Sequence, residues 1–333
     1  MKRLVPNMYN QSTFLVLKAA YLFYIQNKTQ TEIAQILGVS IATVSRLIKK
    51  AIKEKIIQFV ITDPYLECIE MEAKIKKTFG LKDVVIAPIL DLNLDDPYCS
   101  ENDDNARKLV ALEGARYIQR IITEDDIFGI SWGKTMYYLI HYLLPSQKVN
   151  TTFVTLHGSV DSIEHEQDVR TLVARMAMSF GGKKYSLLAE SLMSNSRLVN
   201  SIKKEKNISK VFEIYNKLTI SVCGIGSFYP QETSVMATSG YLTPSELQEL
   251  RSQDVAGDMI MRFFDKEGKE CETSLKNRTL AIDWDIFKKI KTKIVVAAGP
   301  YKTQTILCAL KSNLIDVLIT DYYLGKSLLE NNA

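Results

Sequence analysis

Two groups of residues in this sequence are equipped for recognition chemistry. In the first, Ser40-Ile41-Ala42-Thr43 and Ser45-Arg46 run into Lys49-Lys50, with Gln30-Thr31 upstream. Arg46 is the side chain suited to bond guanine, and the polar groups of Gln30, Thr31, Ser40, Thr43 and Ser45 suit bases or phosphates. Ile41 and Ala42 can touch a thymine methyl, while Lys49 and Lys50 can neutralise a phosphate backbone. The second group is scattered. Gly129-Ile-Ser131-Trp-Gly133-Lys134-Thr135 reads as a strand passing through glycines into a helix, whose free N–H groups can hold a phosphate. Lys302, after Gly299-Pro300-Tyr301, is a further cation, and Cys223-Gly224-Ile225-Gly226-Ser227 is a flexible, phosphate-compatible loop. Asp254 and Asp258, with Val255 between them, can accept hydrogen bonds from sugar hydroxyls or form an exposed acidic turn. In Leu156-His157-Gly158-Ser159, the imidazole can donate to a ligand oxygen or be structural. Convergent cations, helix ends and hydroxyl acceptors suit a small phosphorylated sugar.

Other chemistries fit poorly. The Gly129–Thr135 loop misses the nucleotide-binding pattern GxxxxGK[ST] by one residue, since its two glycines enclose three residues instead of four. Five cysteines stand far apart without a CxxC pair, which points to reduced packing residues, not to a zinc site or disulfides. No metal site, catalytic residue or cofactor fingerprint emerges. The alternative is a phosphosugar isomerase-like enzyme fused to a DNA-binding domain, which needs a placed general base. A constitutive architectural DNA binder with a vestigial pocket is a third reading.

Positioning these residues requires two kinds of scaffold. Apolar positions between Gln11 and Gln26 follow a helical period, and Thr29-Gln-Thr-Glu32 is a capping box for a second helix that stops at Gly38. Ser40 caps a third helix to about Lys53 with Val44, Leu47 and Ile48 inward, which makes a helix-turn-helix over residues 1–62. Ile56 to Thr62 alternates as a strand, giving a winged-helix-like short wing, and residues 63–80 read as a connector helix near Leu66 to Phe79. Residues 81–333 alternate strands (Val84 to Leu90, Ile127 to Ser131, Phe153 to Leu156, Leu218 to Ile225, Ile294 to Ala298, Val317 to Thr320) with helical segments. The fold class is therefore α/β, with a Rossmann-like, mostly parallel sheet that binds ligand beyond its strand ends.

Charge follows the same division. Residues 1–62 hold nine Lys/Arg and two Glu, a net +7, whereas the remainder holds 33 basic and 36 acidic residues, a net −3. That asymmetry suits a small domain facing an anionic polymer. The absence of a long apolar run predicts a cytoplasmic protein without membrane contact.

The motifs together resemble the SorC family of bacterial sugar-responsive regulators, including its deoxyribonucleoside-regulator branch. They are Glu32-Ile-Ala-x-x-Leu-Gly-Val-Ser40 with Thr43-Val-Ser-Arg-Leu47, Gly129-Ile-Ser-Trp-Gly133, Val222-Cys-Gly-Ile-Gly-Ser227, Gly257-Asp258 with Arg262-Phe-Phe-Asp265, and Val317-Leu-Ile-Thr-Asp321. The resemblance implies an effector domain like phosphosugar isomerases but without turnover, a homodimer or homotetramer, double-stranded operator DNA as partner, and a phosphosugar effector that alters operator affinity, most commonly by release of a repressor. It places phosphate at Ser131 to Thr135 and at Lys302, sugar hydroxyls at Asp254 and Asp258, and His157 to Ser159 in a second loop. The chain departs from the common pattern at Lys134, His157 and the single Gly299 before Pro300. Without a lysine at position 157, imine chemistry in that loop is unavailable.

Overall fold

The computed structural model describes residues 11–59, 65–88, 100–160 and 164–331, which divide into two compact units at Thr62/Asp63. In the first unit, α1 (Gln11–Tyr24), α2 (Gln30–Leu37) and α3 (Ile41–Lys53) pack around Ala19, Leu22, Ile33, Ala34, Val44 and Ile48. The capping box forms as the sequence requires: Thr29 Oγ1 accepts from the Glu32 N–H and the Glu32 carboxylate accepts from the Thr29 N–H. Gly38 adopts φ 65°, the left-handed conformation that ends α2 without a Cβ clash. The chain then turns through 101° into α3, whose first turn is capped by Ser40.

The expected wing is not seen over its described part. Ile56 and Ile57 both donate to the Ala51 carbonyl, at 2.9 and 3.2 Å, so they close the end of α3 instead of pairing as a strand. Their side chains pack against Val16, Ala20 and Ala51, and that burial produces the apolar alternation that reads as a strand. Residues 60–62 lie outside the described residues, as do Leu90 and Cys99.

The second unit opens with α4 (Tyr65–Phe79), read from sequence as a connector. It packs against β1 (Asp83–Ala87), burying Cys68, Met71 and Ile75 in the larger core. Next come α5 (Ser100–Ile121), β2 (Ile127–Ile130), α6 (Lys134–His141), β3 (Thr152–Thr155), α7 (Val169–Phe180), β4 (Lys183–Tyr185), α8 (Ser196–Ile202), α9 (Lys206–Tyr215) and β5 (Ile220–Cys223). A second layer follows, formed by β6 (Gly226–Ser227), α10 (Val235–Thr238), α11 (Pro244–Ser252), β7 (Gly257–Met259) and β8 (Arg262–Phe264). The chain finishes with α12 (Trp284–Lys288), β9 (Thr292–Ala297), α13 (Thr303–Lys311), β10 (Val317–Asp321) and α14 (Tyr322–Glu330).

Seven strands form one wholly parallel sheet in the order β1-β10-β9-β5-β2-β3-β4, while β6, β7 and β8 form a small antiparallel sheet. Alternate strand residues enter opposite cores. Val295, Ala297 and Leu318 join α4, α9, α13 and α14; Ile294, Val296 and Ile319 join α5, α6 and α7. Both faces are covered, which explains why these strands read as continuous apolar runs. Asp321, 1% exposed, caps α14 through the Tyr323 and Leu324 N–H groups and also accepts from the Gly299 N–H at 2.7 Å. Helix α14 in turn lies on α4, with Tyr322 donating to Glu67 and Gly325 close against Met71.

The small sheet is tied down by Arg262. Its buried guanidinium donates to the Ile282 carbonyl at 2.6 Å, to the Ala281 carbonyl, and to Glu270 and Asp283. The clamped segment accepts the Gly158 N–H at Leu280. We predict that Arg262→Ala destabilises the C-terminal unit by about 3–5 kcal/mol, because the Ile282 and Ala281 carbonyls lose their buried donor and Glu270 keeps only Lys276, 3.4 Å away. Denaturant unfolding of the variant checks this, with partial recovery expected in Arg262→Lys.

Candidate functional site

In the first unit, α3 carries its apolar stripe inward and leaves Ile41, Ala42, Arg46 and Lys49 exposed. Gln30, Thr43, Ser45 and Lys50 are half-exposed, and Thr31 and Ser40 are exposed. Arg46 lies along the helix within 3.4 Å of the Ala42 carbonyl and of Thr43 Oγ1, and Lys50 pairs with Glu54 at 3.6 Å. Ser40 and Thr43 are hydrogen-bonded to each other by the cap. The ten residues singled out in the sequence thus share one end of α2 and the outer side of α3.

In the second unit, a cavity of about 240 Å³ opens beyond the carboxyl ends of β2, β5 and β9. The chain leaves β2 through α6 on one face of the sheet, and returns to β9 after β5 through α12 on the other. This is the crevice that doubly wound sheets leave where the strand order reverses. Ser131, Gly133, Lys134, Thr135, Asp258 and Lys302 all line it. Gly133, at φ 115°, caps α6 without a side chain, so the first-turn N–H groups of the helix keep their anion-binding capacity.

Other expected residues are elsewhere. Asp254 follows α11, is 82% exposed in its side chain and lies 3.6 Å from Lys266; Val255 is buried in the core beneath the small sheet. The sequence suggested one acidic loop, but Asp258 sits inside the buried strand Gly257–Met259, whereas Asp254 stays exposed before it. His157, Gly158 and Ser159 are buried behind the cavity wall. Gly158 has no room for a side chain, since a Cβ would lie 2.4 Å from the Ala189 carbonyl.

Several lining residues gave no local signal. Arg107 sits on α5, far upstream, where Asp103 and Asp104 hold its guanidinium and Asp103 also accepts from Tyr301. Lys134 pairs with Asp104 at 2.7 Å. Trp132, Ser234 and Tyr301 complete the wall with the Gly224-Ile225-Gly226 turn. Gly226 stands opposite Asp258 in the β6–β7 register, and a Cβ there would lie 2.0 Å from Asp258 Oδ1. The glycine therefore makes space for the carboxylate. Beside it, Ile260 and Met261 adopt φ of 52° and 66° in the tight turn between β7 and β8, a conformation that disfavours side chains and is offset here by their burial.

The cavity's cations are partly compensated from behind, Arg107 by Asp103 and Asp104 and Lys134 by Asp104. Among the described residues, the lining holds Arg107, Lys134 and Lys302 against the single carboxylate of Asp258. Burial, reinforced by Arg107, pushes the Lys302 ammonium down to about 8. Burial pushes the Asp258 carboxyl up to about 6, although Ser234 donates to it and Lys302 attracts it. Burial likewise lowers His157 to about 4. No group of metal-ligating side chains occurs among the described residues, and no single described helix is long and apolar enough to cross a membrane.

Comparison with known proteins agrees with this division. Residues 63–330 match the Sugar-bind family, a sugar-binding domain, and residues 15–54 match sigma-70 region 4. The sorbitol operon regulator of Klebsiella pneumoniae is 27% identical over 95% of this chain and 98% of its own length. The deoxyribonucleoside regulator of Bacillus subtilis (strain 168) is 26% identical over 95% and 97%. The full-length crystal structure of the Klebsiella pneumoniae protein superposes with a TM-score of 0.72, covering 96% of this chain and all of that one, at 27% identity. A helix-turn-helix with a basic outer face, a sheet cavity lined by Arg107, Lys134 and Lys302, and these matches along the whole chain together make the protein a member of the SorC family of sugar-responsive transcriptional regulators.

Proposed function

We propose that the cavity is the effector site, that its ligand is a phosphorylated sugar or polyol, and that occupancy lowers operator affinity in a cytoplasmic repressor acting as a homodimer or homotetramer. The observation that carries this is three cations and an uncapped helix N-terminus arranged around one buried carboxylate. Phosphate goes to Arg107, Lys134, Lys302 and the first turn of α6; a hydroxyl goes to Asp258. A ligand shifts DNA binding only through its difference in affinity between two arrangements of the protein, about 1.4 kcal/mol for each tenfold change. In this reading the protein acts as a sensor without turnover, as its relatives named as regulators support; both ring nitrogens of His157 are engaged inside the protein.

The relatives named for sorbitol, deoxyribonucleosides and, in Brucella abortus, erythritol define the compounds worth testing: polyols and pentoses with and without phosphate. Calorimetric titration is expected to show one phosphorylated compound binding wild type, with Arg107→Ala and Lys302→Met each weakening it about tenfold or more. Equal binding by both variants rejects the assignment. Because the Lys302 ammonium is held near 8, affinity falls as pH rises through that value, and binding there takes up protons. Titrations in buffers of different ionisation enthalpy detect the uptake, and Lys302→Met abolishes it.

On the DNA side, Arg46→Ala is expected to narrow the affinity gap between operator and scrambled duplex. Lys49→Ala weakens both and reduces the slope of log affinity against log salt by about one. Mobility-shift titrations separate the two, and undiminished selectivity in Arg46→Ala removes that residue as the base reader.

A further inference from the structure

The pair formed by His157 and Ser131 fixes the polarity of one part of the cavity wall. His157 Nδ1 lies 2.7 Å from the Gly158 carbonyl, which can only accept, so Nδ1 carries the proton. Nε2, 3.1 Å from Ser131 Oγ, is then left as an acceptor and takes the hydroxyl proton of Ser131. The imidazole is 0% exposed, and the ring of Trp132 stands edge-on to it with centroids 6.4 Å apart. Ser131 itself is pinned at the end of β2, where its N–H donates to the Val222 carbonyl. With its proton committed inward, the hydroxyl has only lone pairs left for a ligand.

We propose that Ser131 is a fixed hydrogen-bond acceptor for a hydroxyl of the effector, held in that role by His157, and that the effector's phosphate therefore lies away from Ser131. This rests on the phosphosugar reading above and refines it: sequence places Ser131 in the phosphate loop with Gly133 to Thr135, whereas its hydrogen bonding makes it a hydroxyl subsite. A dianionic phosphate offers only acceptors and is mismatched to Ser131, while Lys302, Arg107 and the α6 N–H groups offer donors. Asp258 supplies a second acceptor, so the wall offers two acceptors for ligand hydroxyls beside its cations. His157 does not line the cavity and is a positioning residue.

Two measurements on the full chain test this. The sequence has three histidines, so long-range proton–nitrogen spectra of the imidazoles resolve His157. The neutral Nδ1–H tautomer is expected throughout the range in which an ordinary histidine titrates, with the Nε2 signal shifted in Ser131→Ala; an Nε2–H or charged ring overturns the proposal. Calorimetric titration then uses ribose 5-phosphate, sorbitol 6-phosphate, their unphosphorylated forms, and inorganic phosphate. Ser131→Ala and His157→Phe should each weaken the sugar phosphate about tenfold, with no further loss in the double variant. Inorganic phosphate should bind all variants within about twofold, and His157→Gln, which again offers an acceptor to Ser131, should recover most of the loss. Equal weakening of inorganic phosphate, or additive losses, overturns the proposal. If only unphosphorylated sorbitol or ribose binds, the phosphosugar reading fails, yet the same variants still decide the role of Ser131. If no compound binds wild type, both fall.

Discussion

Strands β2 and β5 are hydrogen-bonded neighbours that send their chains to opposite faces of the sheet, so no crossover covers the gap between their ends. The rest of the C-terminal unit is built around that gap. Segments reach it from six separated stretches of sequence: the α5 end bearing Arg107, the turn into α6, Gly224–Gly226, the start of α10 at Thr233–Val235, the β7 end at Asp258–Ile260, and the loop carrying Lys302. The sheet holds these segments in fixed register because both its faces are packed, and a register slip would turn every buried strand residue into the wrong core.

The charged groups at this site work against the stability of the fold. Asp258 and Lys302 both lose hydration, as the upward displacement of one and the downward displacement of the other record. Ile260 and Met261 add backbone strain a residue away. The large cores on both faces of the sheet absorb these costs, and a ligand that returns polar partners to the two charges recovers part of them.

How much of this is legible in sequence depends on how local each signal is. The helix-turn-helix is spelled out by adjacent residues: Thr29 and Glu32, Gly38, Ser40, and the spacing of Val44 and Ile48. The parallel strands are equally plain, since burial on two faces leaves continuous apolar runs. Arg107 was invisible because only the crossover between β1 and β2 carries it to the cavity. The pairing of Asp254 with Asp258 failed for the converse reason: of two residues close in sequence, one enters a buried strand and the other stays on the surface before it. Gly226 was read as a flexible phosphate loop, while its structural use is to admit the Asp258 carboxylate. Ile56 and Ile57 carry the alternation of a strand but satisfy the end of α3. The short strands β4, β6, β7 and β8 are too brief to show a period.

The shared carboxylate of Asp321 gives the cavity a mechanical connection to the start of its domain. One oxygen holds the Gly299 N–H at the base of the Lys302 loop, and the other holds the first turn of α14, which is seated on α4, the helix that begins at Tyr65. Loop and helix therefore share a single hinge pin with almost no slack, in a position sealed from water. Any displacement of Gly299 must either carry α14 with it or strip a buried carboxylate of a backbone donor, and the second alternative is expensive. The first helix described in the second unit and the loop carrying Lys302 are in this sense tied through one buried carboxylate.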